Sequence, residues 1–502
     1  MVFSSPRYLV FLTIVLLLLS VPLPLRWKKR VLVVMSSLFY AAWDYRYLGL
    51  LVTISIIDYV AAERIHRAAR EGGDGAGQVK TQKAWLTASV VSNLAILGYF
   101  KYCNFFLHNL NGVLGALGTE AIPYQEILLP AGISFYTFKS MSYTIDVYRK
   151  VIEPCEKWLD YLMFVTFFPE LIAGPIVRAS VFLPQMARIP RPTAERLRVG
   201  IALFVMGLLK KRVIADNLAT TADQVFAAPH MFATATLWLG LLAYTLQIYC
   251  DFSGYSDMAI GSAKMMGYDL PENFRMPYLS GNITEFWRRW HMTLSNWLRD
   301  YLYIPLGGSR RGPRRTYVNL FLTMLLGGLW HGASWNFVLW GALHGTALAV
   351  HKLFRARVRW RMPGALGMPL TLLFAALCWI PFRAPTFGST LTFLKRLFIP
   401  SEGVQFLTPV VIGLAIVVAI GHLIGGMVDP VGETPARPDA RSRGWLRSLR
   451  EVGLGIHVDE VSGWVVVFKG GTVLAYAMVT ILAFSILFGA VVHSSPFIYF
   501  QF

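Results

Sequence analysis

The chain has 502 residues, 55% hydrophobic, 14% aromatic and only 15% charged, with a net charge of +19. A soluble domain carries about 25% charged residues and a disordered chain is poor in aromatics, so both classes are excluded. What remains is an all-α, polytopic membrane protein. A spanning helix needs about 20 mostly apolar residues. The first such run, 8–25, is followed rather than preceded by its basic cluster and lacks a cleavage site, which predicts a retained span with the N-terminus outside. Further predicted spans are 31–45, 47–63, 85–102, 233–250, 317–335, 337–353, 366–382, 404–424 and 472–492, with weaker candidates at 126–147, 158–177 and 199–210. Interruptions by Gly, Pro or charge argue against a bundle of straight rods. The expectation is ten to twelve spans, with interfacial and re-entrant helices among them.

The basic residues fall in short loops at 26–30, 64–83, 188–198, 310–315, 352–361 and 437–450. Lys and Arg gather on the cytoplasmic side of a membrane protein, facing anionic lipid. That placement, rather than a nucleic-acid partner, accounts for the charge. Lys210, Lys211 and Arg212 do not fit the alternation. The polar stretch 425–470 reads as a cytoplasmic loop joining the last two spans. No segment is long and polar enough for a separate soluble domain, so 1–502 reads as one membrane domain. Four isolated cysteines, Cys103, Cys155, Cys250 and Cys378, show no metal-ligand or disulfide spacing.

Ionisable residues inside apolar runs are costly and mark candidate sites. His331 stands out, within Gly327-Gly-Leu-Trp-His331-Gly-Ala-Ser-Trp-Asn336. Imidazole can accept or give a proton near neutral pH. Trp330 and Trp335 are candidates to wall off such a site, and Asn336 adds a polar group. A core histidine bonded to a neighbouring helix is an equally good account. His344 and His351 share one helix face and read as interhelical or interfacial residues. In Glu285-Phe-Trp-Arg-Arg-Trp-His291-Met-Thr-Leu-Ser295, continuing to Tyr301, helical periodicity predicts an amphipathic helix at the interface carrying His291 and Ser295 on one face. The turn after it holds Arg310 and Arg311, which suit either a cytoplasmic loop or the phosphates of a nucleotide-bearing donor. Asp251 in Asp251-Phe-Ser-Gly-Tyr-Ser-Asp257 is a candidate cap for a following helix.

Phe286-Trp-Arg-Arg-Trp-His291, Leu298-Arg-Asp-Tyr-Leu-Tyr-Ile-Pro-Leu-Gly-Gly308 and Gly327-Gly-Leu-Trp-His331-Gly-Ala resemble the membrane-bound O-acyltransferase family. The nearer branch is the bacterial alginate O-acetyltransferase membrane subunit. Further similar stretches, in order, include Leu129-Pro-Ala-Gly-Ile-Ser-Phe-Tyr-Thr-Phe138, Ile172-Ala-Gly-Pro175 and Asp251-Phe-Ser-Gly-Tyr-Ser-Asp257, so the resemblance covers 1 to about 400. It implies acyl transfer from a cytosolic thioester, such as acetyl-CoA, to hydroxyls of an exported polysaccharide, directly or through a periplasmic partner. It implies the inner membrane, no bound cofactor or metal, His331 and His291 as catalytic residues, and a funnel or channel ending at His331. Trp330, Asn336, Ser295, Arg310 and Arg311 are then candidate substrate-binding residues. Glu170 departs from the family pattern and receives no role. A transporter of an acyl donor that performs no chemistry is the competing class.

Overall fold

The computed structural model describes residues 2–71, 75–124, 127–187, 192–358, 360, 362–428 and 496–498, and the backbone of 454–459 and 463–468. The described residues are overwhelmingly helical. Among them, Gly75–Ala116, Trp335–Arg357, Gly364–Arg383 and Pro409–Gly426 are long and apolar enough to cross a membrane. Pro6–Ser20 is apolar but only 15 residues long. The protein is thus an all-α polytopic membrane protein. The expected span 472–492 lies outside the described residues, as does most of the loop 425–470. Within that loop, however, strands Leu454–Asp459 and Gly463–Phe468 pair antiparallel, with Leu454 opposite Phe468.

The described chain divides into two compact units. The first comprises residues up to 197 together with 262–270. Pro6–Ser20 starts where Ser5 Oγ accepts the Tyr8 N–H at 3.3 Å, with proline at its first position; both features favour a helix start. Tyr8, Phe11, Phe39 and Phe168 pack ring against ring at 5.1–6.3 Å. Two buried carboxylates in this unit have polar partners, as burial demands. Asp58 accepts from Ser89 Oγ at 2.5 Å and from Asn93 Nδ2 at 2.9 Å. Glu170, left without a role by its sequence, forms a buried ion pair with Lys139. The weak span 158–177 holds two short helices, Trp158–Thr166 and Phe168–Leu171, and a third, Ala179–Met186, follows it.

The second unit comprises 198–261 and the described residues from 271 onward. Its 32-residue helix Thr234–Met265 runs straight through Asp251, so Asp251 caps nothing. Instead, Asp251 Oδ1 lies 2.7 Å from Lys211 Nζ, and Oδ2 accepts the Ile498 N–H at 2.8 Å. Lys210 pairs with Asp257 at 2.7 Å and Arg212 with Asp216 at 3.0 Å. These three basic residues occupy a π-helical turn, Lys210–Ala215. Each has a carboxylate partner, which is why they disregard the loop-charge alternation. Gly207 and Gly254 make the backbone contact beside this turn: a Cβ on Gly207 would lie 2.4 Å from Gly254 O.

Helices Pro313–His331 and Trp335–Arg357 form a tight hairpin. Small residues allow it, as they do generally between membrane helices. A Cβ on Gly341 would sit 2.5 Å from Met324 O and 2.9 Å from Leu325 Cα. The obstacle is backbone, so it cannot swing aside. Gly341→Val is expected to lower stability by about 1–3 kcal/mol through overpacking and to reduce activity, read as a lower melting temperature in detergent. A variant melting with the wild type would contradict this packing.

Candidate active site

His331 is the last residue of Pro313–His331, and the chain turns at Gly332 before Ser334 caps the next helix. The sequence suggested a histidine inside an interrupted span; the structure puts it at a helix end. It is 5% exposed. Three aromatic rings surround its imidazole edge-on: Trp330 and Trp340 at 5.0 Å and Phe382 at 5.2 Å. Trp335, expected to form part of that wall, is 57% exposed, while Trp330 is 4% exposed. The wall is completed by Trp340 and Phe382 instead. Trp340 lies about one and a half helical turns into the second arm of the hairpin. Phe382 comes from Gly364–Arg383, and nothing local in the sequence could have paired it with His331.

His291 occupies a break. The predicted single amphipathic helix is two seven-residue helices, Ile283–Arg289 and Met292–Leu298, separated by Trp290 and His291. His291 adopts a left-handed backbone, φ 43° and ψ 54°. For a residue with a Cβ this costs about 1–2 kcal/mol, so surrounding structure must enforce it. Nor is this a helix lying on the lipid surface: Phe286, Trp290, Leu294, Trp297 and Leu298 are all buried. Arg289 is buried against Glu285 at 2.7 Å; Arg288 and Arg299 remain exposed. The break turns the His291 ring to 6.5 Å from His331 and 6.1 Å from Trp330, centroid to centroid. Phe252 meets it edge-on at 4.6 Å. His291 lies outside the spanning helices, and burial pushes its imidazole down to about 3, because a low-dielectric surround disfavours the charged form. It is therefore neutral at physiological pH.

The other candidates are placed less centrally. Ser295 shares the second short helix but turns its hydroxyl to Trp290 O at 3.3 Å. Asn336 is buried and ties helices together: Nδ2 donates to Ala384 O at 2.9 Å and Oδ1 accepts from Thr390 Oγ1 at 3.1 Å. Arg310 and Arg311 are exposed on a turn rich in left-handed glycines, with Gly307 at φ 109°, Gly308 at φ 53° and Gly312 at φ 85°. Asn319 Nδ2 holds that turn by donating to Gly308 O at 2.9 Å. His344 and His351 are interhelical: Trp287 Nε1 donates to His344 Nδ1 at 3.3 Å, and His351 Nδ1 lies 2.8 Å from Thr284 Oγ1.

A buried imidazole pair in an aromatic box suits proton transfer to or from a hydroxyl. The membrane-bound O-acyltransferase family model matches residues 155–382, a stretch that includes both histidines. The probable alginate O-acetylase of Azotobacter vinelandii is 46% identical over 386 residues, covering 76% of this chain and 75% of the relative. The peptidoglycan O-acetyltransferase of Helicobacter pylori is 38% identical over 393 residues, covering 72% of each. More distantly, the teichoic acid D-alanyltransferase of Bacillus subtilis is 29% identical over 242 residues, covering 46% of this chain and 61% of the relative. With likeness of this extent across the segments that build the histidine pair, the chain belongs to the membrane-bound O-acyltransferase family and is an acyltransferase.

Proposed function

We propose that this chain transfers an acyl group, acetyl in the simplest case, from a cytosolic thioester donor such as acetyl-CoA to hydroxyls of an exported polysaccharide, with His331 as general base. The carrying observation is the buried His331 and His291 pair, 6.5 Å apart within an aromatic enclosure. The acceptor class rests on the relatives, whose names specify alginate, peptidoglycan and teichoic acid.

The chemistry needs no covalent enzyme intermediate. His331 removes the acceptor hydroxyl proton as its oxygen attacks the thioester carbonyl carbon. The tetrahedral oxyanion then collapses, the C–S bond breaks, and the thiolate takes the proton back from the imidazolium. Ester and free thiol result. An oxyanion requires a donor aimed at it. Trp340 Nε1 is buried with no acceptor among the described residues, and its ring borders His331; this reading gives it that task. His291 orients donor or acceptor. Arg310 and Arg311 serve as contacts for the donor's phosphates at the cytoplasmic rim, while Ser295, Asn336 and Trp330 shape the acceptor side. The enzyme then lies in the bacterial inner membrane as one domain with the N-terminus outside. It delivers the acyl group directly or through a periplasmic partner.

Inside-out membrane vesicles test this. Labelled acetyl-CoA added outside such vesicles is expected to acetylate polysaccharide enclosed in the lumen, in step with the amount of this protein. Label confined to the donor at every protein level would refute the reading.

A further inference from the structure

The left-handed backbone of His291 needs something to hold it. A helix leaves its first N–H groups without intrahelical acceptors, and a capping residue ordinarily supplies one from its side chain. His291 stands at that position for Met292–Leu298 and makes no side-chain capping bond. Asn273 supplies both acceptors from another part of the chain. Its backbone oxygen accepts the Met292 N–H at 2.9 Å. Its Oδ1 accepts the Thr293 N–H at 3.3 Å and Thr293 Oγ1 at 2.9 Å. Its Nδ2 donates to Ser256 Oγ at 3.3 Å, anchoring the amide to the long helix. Asn273 and Ser256 are each 1% exposed. Two residues on, the Arg275 N–H donates to Arg289 O at 2.9 Å, on the other side of the break. The segment therefore splints both halves of the broken helix.

We infer that Asn273 is a positioning residue for the transfer reaction: by capping Met292–Leu298 in place of His291, it fixes the His291 ring beside His331. The inference rests on the histidine pair being the reacting centre. Displacing a reactive group by about 1 Å costs up to about 100-fold in rate. Asn273→Ala is accordingly expected to lower kcat about 10- to 100-fold, with the donor KM little changed. Asn273→Asp, which keeps an acceptor toward Thr293, is expected to restore much of that loss.

The decisive measurement is a double-variant cycle, because residues that act through one another are not additive. Placed in a His291→Ala background, Asn273→Ala is expected to cause no further loss. Additive losses, or an Asn273→Ala enzyme with wild-type kcat, would overturn the inference while leaving the histidine pair standing. A fully active His291→Ala would instead bring down the role of His291 itself, and this inference with it. Should Asn273→Ala fail to accumulate, Thr293→Val and Ser256→Ala each release one end of the clamp. Wild-type kcat in both would equally overturn it.

Discussion

Replacing His331 with alanine is expected to lower acyl transfer by about 100- to 10,000-fold, the usual contribution of a positioned general base. The enclosure makes this a chemical rather than a structural prediction. The imidazole edge meets three rings, those of Trp330, Trp340 and Phe382. Trp340 and Phe382 stay in place without it, because they pack on each other and on neighbours, Trp340 on Trp379 and Phe382 on Phe337, while Trp330 keeps its contact with His291. The variant should therefore accumulate and melt near the wild type while failing to acylate. The measurement is label transferred to polymer per unit of protein, alongside donor binding to the same preparation. Binding should persist. Wild-type transfer by His331→Ala would eliminate the base. A donor transporter without chemistry predicts the opposite pattern, with flux of intact donor across the membrane and no dependence on the imidazole.

The second large effect concerns stability. Lys211 Nζ lies 2.7 Å from Asp251 and 3.0 Å from Asp216, and all three side chains are at most 4% exposed. Removing one member of such a group strands the rest. Breaking a buried ion pair from one side costs about 3–5 kcal/mol, because the abandoned charge stays out of water. Lys211→Met is expected to lose that much. Two carboxylates would then face one another, with Arg212 reaching only Asp216. The neighbouring Lys210 provides an internal comparison. Its pair with Asp257 is 23% and 21% exposed, so solvent can take over the freed carboxylate and Lys210→Met should cost less. Thermal unfolding of both variants in the same detergent gives the order. Lys211→Met melting at or above Lys210→Met would show that the cluster contributes little.

His331 was legible in the sequence because charge is scarce there. An imidazole amid Leu, Trp and Gly has few uses in a membrane helix. The family motifs were legible for the same reason, being runs of aromatic and basic residues of unusual length. The break at His291 was not. Apolar residues recur at helical spacing on both sides, from Phe286 through Trp290 to Leu294 and Trp297, so periodicity predicts one continuous helix. What interrupts it is Asn273, nearly twenty residues earlier, through hydrogen bonds that leave no periodic trace. Lys210, Lys211 and Arg212 stood outside the charge alternation for a related reason. Their positions obey a charge-counting rule only if they are unpaired, and two of their partners lie forty and more residues downstream. Asp251 shows the reverse error, since a plausible capping residue proved to be the middle of a 32-residue helix. Arg310 and Arg311 lie on the surface turn their sequence suggested.

The glycine contacts in the hairpin have a mechanical consequence. At Gly328 and Gly341 no layer of side chains lies between the two helices; a Cβ on Gly328 would fall 2.3 Å from Phe337 O. Side chains can yield by changing rotamer, whereas peptide planes in contact cannot. A push on the far end of Trp335–Arg357, some 35 Å away at about 1.5 Å per residue over its 23 residues, is thus transmitted to His331 with little slack. The hairpin behaves as a stiff lever with His331 at its turn. Any force acting on the exposed Arg355–Arg357 end would reach the His331 ring as a change in its alignment.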